Sequence, residues 1–232
     1  MGRRTIATAS VGTSGFSYPT WRGAFYPEKA RPADFLRLYA ERLPAVELNT
    51  TFYQLPSEEQ LRIWADATPP DFRFAVKVTR RISHGGRVEL LPTFCERVRI
   101  LGEQLGPLLL QLPPTRPRDD GLLGLLLDSF DPDLRVAVEF RHDSWDAPEV
   151  DELLAARAAV RVNGAAPGAP FRYHRLREPP YDEAALQEIA RGVRADLAAG
   201  RPVFAFFKHE DDPWGAAAAL QLLQILDGEG GE

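Results

Sequence analysis

Glu47 and Asn49 stand two residues apart in VELN, and Glu139 and Arg141 repeat that spacing in VEFR. Alternate residues of a strand point to the same side, so each pair shares a face if these segments are strands. Lys77 lies in FAVKV, Gln111 ends LLLQL, Arg175 lies in YHRLR and Lys208 closes VFAFFK. Carboxylates in this company are candidates for general acid–base work, and the ammonium and guanidinium groups for clamping an anion. Glu47, Lys77 and Glu139 are the catalytic candidates. Lys77 is also a Schiff-base candidate if desolvated, with neighbouring cations lowering its pKa and neighbouring glutamates raising it. The bland alternative is a structural ion-pair network plugging one end of the fold. Desolvation cancels much of what such pairs gain, so costly charges are better explained by a ligand that uses them.

The cations Lys77, Arg80, Arg81, Arg141, Arg175 and Lys208 outnumber the two glutamates, which suits a phosphate or carboxylate. The Thr13-Ser14-Gly15 turn offers backbone N–H donors of the kind that form anion-binding nests. Aromatic residues crowd the first loop and return at Phe52, Tyr53 and Trp145. They read as a wall that stacks on a ring and excludes water, or as a small loop core, the safer reading for Phe16 and Phe25. Substrate contacts are therefore expected at Ser14, Tyr18, Trp21, Asn49, Tyr53, Arg81, His84, Gln111, Arg141, Trp145, Arg175 and Lys208.

His84, His142 and His209 all follow strand-like segments, but no HxH or HExxH spacing is present. No metal and no cofactor are expected. His142 and His209 read as loop histidines, and His84 is kept as a general acid or anion ligand. Cys95, in a helical pattern without an activating partner, reads as core filler. No GxSxG elbow supports a serine nucleophile.

The elements that must position these groups alternate. Strand candidates run roughly Ala7–Thr13, Ala45–Asn49, Phe72–Val78, Pro107–Leu112, Arg135–Phe140, Ala159–Val162, Phe171–Leu176 and Pro202–Lys208. Near-continuous apolar runs such as LLLQL and VFAFF suit parallel strands covered on both sides. Amphipathic helical patterns lie between most of them, with Ser57 and Asp182 as N-caps. VRVNGAAPGAPF carries no helix signal, so the sixth helix is expected to be missing or replaced by a loop. Eight strand–helix alternations favour a TIM-type (β/α)8 barrel over an open doubly wound sheet, and no GxGxxG or GxxxxGK[ST] follows the first strand. In a barrel the loops after the strands gather on the face where active sites are built, and those loops hold nearly all the unusual residues here.

A single domain over residues 1–226 is the simplest account, with 227–232 a disordered tail. No run reaches the ~18 apolar residues of a membrane helix, and no membrane partner is expected. MGRRTIATAS carries no apolar stretch of the secretory kind, and Cys95 is the only cysteine, so a reducing, cytoplasmic location is expected. A net charge of −5 argues against non-specific binding to nucleic acid, though not against a local basic groove.

GTSGFSYPTWRGAFYP, VELNTTFY, FAVKVTRRISH, LGPLLLQLPP and VEFRHDSW resemble, in matching order, the YecE-like family, domain of unknown function 72. The resemblance runs from about Val11 to Leu226. It implies a TIM-type barrel, and no established activity. Its motif positions include Ser14, Tyr18, Trp21, Glu47, Asn49, Tyr53, Lys77, Arg81, His84, Gln111, Glu139, Arg141 and Trp145. The chain departs from the family pattern twice. Arg177-Glu178 replaces an expected His-Gly after strand seven, and Lys208-His209 replaces an expected Asn-Asn after strand eight.

The leading expectation is an enzyme that acts on a small anionic molecule by metal-free acid–base chemistry. Glu47 and Glu139 exchange protons, while Lys77, Arg141 and Arg175 hold the anion. The alternatives are a nucleic-acid-binding or phosphodiester-cleaving barrel resembling endonuclease IV, motivated by TRRISHGGR and its aromatic neighbours, and a non-catalytic ligand-binding protein. Oligomeric state has no signal in the sequence.

Overall fold

A computed structural model of the chain describes residues 9–208 and 212–228. Among the described residues eight strands are present: β1 (Ala9–Ser14), β2 (Ala45–Leu48), β3 (Arg73–Lys77), β4 (Leu105–Gln111), β5 (Val136–Glu139), β6 (Val160–Arg161), β7 (Arg172–Leu176) and β8 (Val203–Phe207). Eight α-helices accompany them: α1 (Phe35–Ala40), α2 (Glu58–Asp66), α3 (Arg80–Ser83), α4 (Leu91–Val98), α5 (Asp120–Asp128), α6 (Pro148–Ala155), α7 (Glu183–Ala198) and α8 (Trp214–Gly228). The strands form one sheet in the order β6-β5-β4-β3-β2-β1-β8-β7. Sequential neighbours with β1 beside β8 define a nearly closed α/β barrel of the TIM type, as the alternation predicts. No helix separates β6 from β7, so the expected gap at the sixth helix is real. At the other end α8 continues through Gly228, so Asp227 and Gly228 are helical rather than part of a tail; residues 229–232 lie outside the described residues.

By internal contacts the chain divides into two compact units. One joins the segment ending at Val46 to the segment beginning at Phe171, and the other is Glu47–Pro170. In the first, β1 pairs with β8 and β8 with β7, all parallel, with Gly12 opposite Phe206 and Phe206 opposite Arg175. Gly12 must be glycine: a Cβ there would lie 1.8 Å from the Ala45 carbonyl oxygen. That carbonyl accepts a 2.9 Å bond from the hydroxyl of wholly buried Tyr39, which in turn accepts the Thr13 N–H at 2.8 Å. Asp182 caps α7 by accepting the Ala185 N–H at 2.9 Å.

In the Glu47–Pro170 unit, Val76 lies opposite Leu108, which lies opposite Val136; Lys77 lies opposite Leu109, which lies opposite Ala137. The β3–β4 register shifts between Phe74 and Val76, where β4 carries Gly106 and Pro107. Proline has no N–H for the ladder, and a bulge is where a strand tolerates it. Ser57 caps α2 by accepting the Gln60 N–H at 3.1 Å, and Asp119 caps α5 by accepting the Leu122 N–H at 2.8 Å. Cys95 is buried on α4, and burial pushes its thiol up to about 11, which suits filler rather than a nucleophile.

Gly12→Ala is expected to destabilise the protein by about 3 kcal/mol or more, because backbone rather than a movable side chain occupies the space. Gly192→Ala, on α7 with nothing near the added methyl, should instead stabilise by about 0.5–1 kcal/mol. Urea unfolding of both variants checks the pair, and equal effects would contradict the packing described.

Candidate functional site

Within Glu47–Pro170 the sheet brings the expected strand-end residues together by register. Gln111 lies directly opposite Glu139, and Lys77 lies opposite Leu109, two residues before Gln111. With side chains alternating, Lys77, Gln111 and Glu139 share one face at the carboxyl ends of β3, β4 and β5. Glu47 is wholly buried near the end of β2, the strand beside β3. Two residues on, Asn49 has a buried Oδ1 with no hydrogen-bond partner among the described residues. Leaving such an acceptor unmet costs about 1–3 kcal/mol.

The loop after β2 is fastened over β3. The buried Thr51 hydroxyl lies 2.8 Å from the Leu48 carbonyl oxygen and 2.7 Å from that of Lys77. This sets Phe52 over the lysine, whose Nζ lies 4.2 Å from the ring centroid. A cation–π contact of this kind contributes about 0.5–2 kcal/mol. Phe52 also meets His84 edge-on at 5.0 Å and Tyr53 at 5.1 Å. Lys77 is nearly buried and Tyr53 is 81% exposed, so the aromatic pair runs from the strand end to solvent.

His84 follows α3. Its Nδ1 lies 3.0 Å from Ser83 Oγ, and the Ser83 hydroxyl donates to the Thr79 carbonyl at 3.0 Å. In the tautomer that leaves the Ser83 hydroxyl donating its one proton to Thr79, Nδ1–H is the donor in the His84–Ser83 bond and Nε2 is an acceptor. Burial, then the charges of Lys77, Arg80 and Arg116, hold the imidazole below its usual pKa. The Arg116 side chain donates to the His84 carbonyl at 2.6 Å and fixes the turn. Ser83 and Arg116 escaped the sequence reading. The Ser-His pair four residues after Thr79 was the available signal for Ser83, and a guanidinium reaching back 32 residues left none.

Several expected contacts are placed otherwise. Glu139 and Arg141 share a face as expected, but they pair with each other at 2.9 Å, which engages Arg141 locally. Trp145 is 1% exposed, stacks on Phe140 at 4.7 Å and donates its Nε1–H to the Arg116 carbonyl at 3.0 Å. In the other unit, Trp21 is wholly buried against Tyr18, Phe25 and Tyr26. Both tryptophans are loop-core residues rather than a ligand-facing wall, because each loop needs its own apolar anchor. The Thr13-Ser14-Gly15 turn is no open nest: the Gly15 N–H is given to the Thr13 carbonyl at 3.0 Å, and the Tyr18 hydroxyl donates to the Ser14 carbonyl at 3.0 Å. Ser14 is buried, with Oγ unpartnered among the described residues. Thr13 pairs with Phe207 and Phe207 with Leu176, so Ser14, Lys208 and Arg175 lie at the carboxyl ends of three adjacent strands. Arg175 is buried and Arg177 half-buried, while His209 lies outside the described residues.

No group of three or more His, Cys, Asp or Glu is arranged to hold a metal ion among the described residues. Nor is any described helix long and apolar enough to cross a membrane.

The fold and strand-end polar groups define an α/β barrel with a carboxylate- and cation-bearing face. The family follows from sequence: residues 10–232 match the family described as "Protein of unknown function DUF72", and the chain belongs to it. It is 31% identical over 186 residues to the UPF0759 protein YecE of Escherichia coli strain K12, covering 76% of this chain and 68% of that protein. The YecE protein of strain O157:H7 is 36% identical over 184 residues, with the same coverage. Among solved structures, a DUF72 family protein from Thermotoga maritima MSB8 superposes with a TM-score of 0.79 at 28% identity, covering 94% of this chain and 99% of that one. A DUF72 family protein from Enterococcus faecalis V583, at 22% identity and a TM-score of 0.77, shares the fold over 95% of this chain and 96% of its own.

His84 should titrate below 6.5, followed by NMR of the ring carbons. Because the folded pKa is depressed, His84 costs no stability above the unfolded value and lowers stability as pH falls beneath it. Arg80→Gln removes one of the opposing charges and should raise the midpoint. A wild-type midpoint at or above 6.5 would contradict the environment described.

Proposed function

We propose that the protein is an enzyme acting on a small phosphate- or carboxylate-bearing molecule by general acid–base chemistry at the carboxyl ends of β2–β5. The observation that carries this reading is the placement of Glu47, wholly buried, and Lys77, nearly so, at the ends of neighbouring strands. Buried charges of both signs are poor devices for stability, since desolvation offsets their attraction. They are good devices for catalysis, where a fixed carboxylate and a fixed ammonium meet charge as it develops. Glu47 and Glu139 exchange protons with the substrate, and Lys77 neutralises the anion or the charge it gains. Asn49 Oδ1 offers an acceptor that a substrate hydroxyl or amine would satisfy. Gln111, opposite Glu139, orients the carboxylate or the substrate. His84 Nε2 is a second acceptor, reached through the Phe52 contact.

In the other unit Arg175, Lys208 and Ser14, with Tyr18 beside Ser14, occupy the carboxyl ends of β7, β8 and β1 and are proposed as ligand contacts of that unit. A cytoplasmic setting and the absence of a metal or cofactor belong to the proposal too.

The test is turnover. A panel of small phosphomonoesters and carboxylates, incubated with the protein and read by mass spectrometry, should contain a substrate. On that substrate Glu47→Gln and Lys77→Ala are each expected to lose about 100-fold or more in rate while keeping the wild-type circular dichroism spectrum. Full activity in both variants would remove the assignment. Binding without turnover would favour a ligand-binding protein instead.

A further inference from the structure

Tyr53 is the most exposed large apolar side chain among the described residues. It borders two recesses. One, of about 430 Å³, is lined by Tyr53, Arg80, Arg81, His84 and Gly85. The other, of about 510 Å³, lies along Thr50, Gln54, Pro56, Ser57 and Gln60. The volume of the first falls in the ~300–1,000 Å³ range of small-molecule sites.

The arginines of this unit sort into two groups. Arg87 is held by Glu89 at 2.6 Å, Arg118 by Asp120 at 2.7 Å, Arg157 by Asp128 at 2.7 Å and Arg161 by Asp151 at 2.7 Å. Arg97 and Arg116 are spent on the carbonyls of Pro56 and His84. Arg80 and Arg81, both exposed, have no hydrogen-bond or ion-pair partner for their guanidiniums among the described residues. They line the recess that Tyr53 walls. Two available guanidinium forks beside an exposed aromatic face form a pair of complementary surfaces, one for an anion and one for a flat ring. Between them His84 contributes Nε2 as an acceptor in the tautomer whose Nδ1–H donates to Ser83.

We propose that this recess binds a nucleoside monophosphate, with the base stacked on Tyr53, the phosphate held by Arg80 and Arg81, and a sugar hydroxyl donating to His84 Nε2. Base–aromatic stacking is tolerant of base identity, because every base has a π-face. The recess is therefore selective for the phosphate and the ring rather than for one base. A long nucleic acid is the weaker occupant: the chain's net charge of −5 opposes a polyanion, whereas one phosphate needs only the local forks. The inference rests on the acid–base reading for what is done to the ligand, but not for its binding.

Calorimetric titration of the full chain with adenosine 5′-monophosphate and uridine 5′-monophosphate tests it. Both should bind, and adenosine or inorganic phosphate alone should bind at least tenfold more weakly. Tyr53→Ala should weaken both nucleotides roughly tenfold while leaving inorganic phosphate unchanged. The double variant Arg80→Ala, Arg81→Ala should weaken nucleotides and phosphate together, and Arg62→Ala, paired with Glu58 on α2, should change neither. All four positions are exposed, so the variants are expected to fold, and circular dichroism verifies it. No binding of either nucleotide at millimolar concentration, or binding indifferent to Tyr53 and to both arginines, overturns the proposal. So does a twelve-residue oligothymidylate that binds more than tenfold tighter than the mononucleotides, which would make the recess part of a polymer track. Nucleotide binding without turnover leaves the recess standing and removes the acid–base reading; turnover of a different anion with no nucleotide binding does the reverse.

Discussion

A single extra residue in β4 decides which side chains share a face at the ends of β3, β4 and β5. Phe74 lies opposite Leu105, and an uninterrupted ladder from there would put Lys77 opposite Leu108. The shift near Gly106 and Pro107 puts it opposite Leu109 instead. Because strand side chains alternate, one step changes everything: Lys77 moves from the side of Leu108 and Leu110 to that of Gln111 and Glu139. The bulge is thus more than a device for accommodating a proline. Without it the ammonium and the carboxylate would point to opposite sides of the sheet.

In β3, β4 and β5 the polar side chains sit at strand ends for a related reason. Leu108, Leu109 and Leu110 of β4 are each wholly buried, as are Ala75 and Val76 of β3. A parallel strand covered on both faces offers no interior position where a charge meets water. Polarity appears where the ladder stops and the loop begins, and there the cost of burial can be set against a ligand. Glu47 is the extreme instance, since it stands one residue from the end of its strand and still reaches no solvent.

Much of this was legible in the sequence, and what was not has physical causes. The strands read through as apolar runs, and the missing helix after β6 showed as Gly164, Pro167 and Gly168 without a 3.6-residue pattern. The i,i+2 pairing of Glu139 and Arg141 was correct as a shared face, but spacing alone could not show that the two would satisfy each other. Trp21 and Trp145 were misplaced for another reason. A loop rich in aromatics looks the same in sequence whether its rings line a pocket or fill the loop's own core, and long loops must bury something to hold one shape. The β4 bulge left only a Gly-Pro pair inside a strand, and Arg116 owes its place to the third dimension alone.

Phe52 joins the two chemical environments of the Glu47–Pro170 unit. One side of the contact holds Lys77 at the strand end, and the other meets His84 and Tyr53 at the surface. The ring screens the ammonium from water without neutralising it, so the lysine's charge is still felt at His84, where it helps keep the imidazole neutral. A neutral imidazole accepts a hydrogen bond, whereas a protonated one would only add to the cations around it. The strand end therefore acts on the loop through an aromatic wall. Thr51 makes this coupling geometric, since its hydroxyl ties the loop that carries Phe52 to the carbonyl of Lys77 itself. Any movement of that loop must move the cover over the lysine and the neighbour of the histidine together.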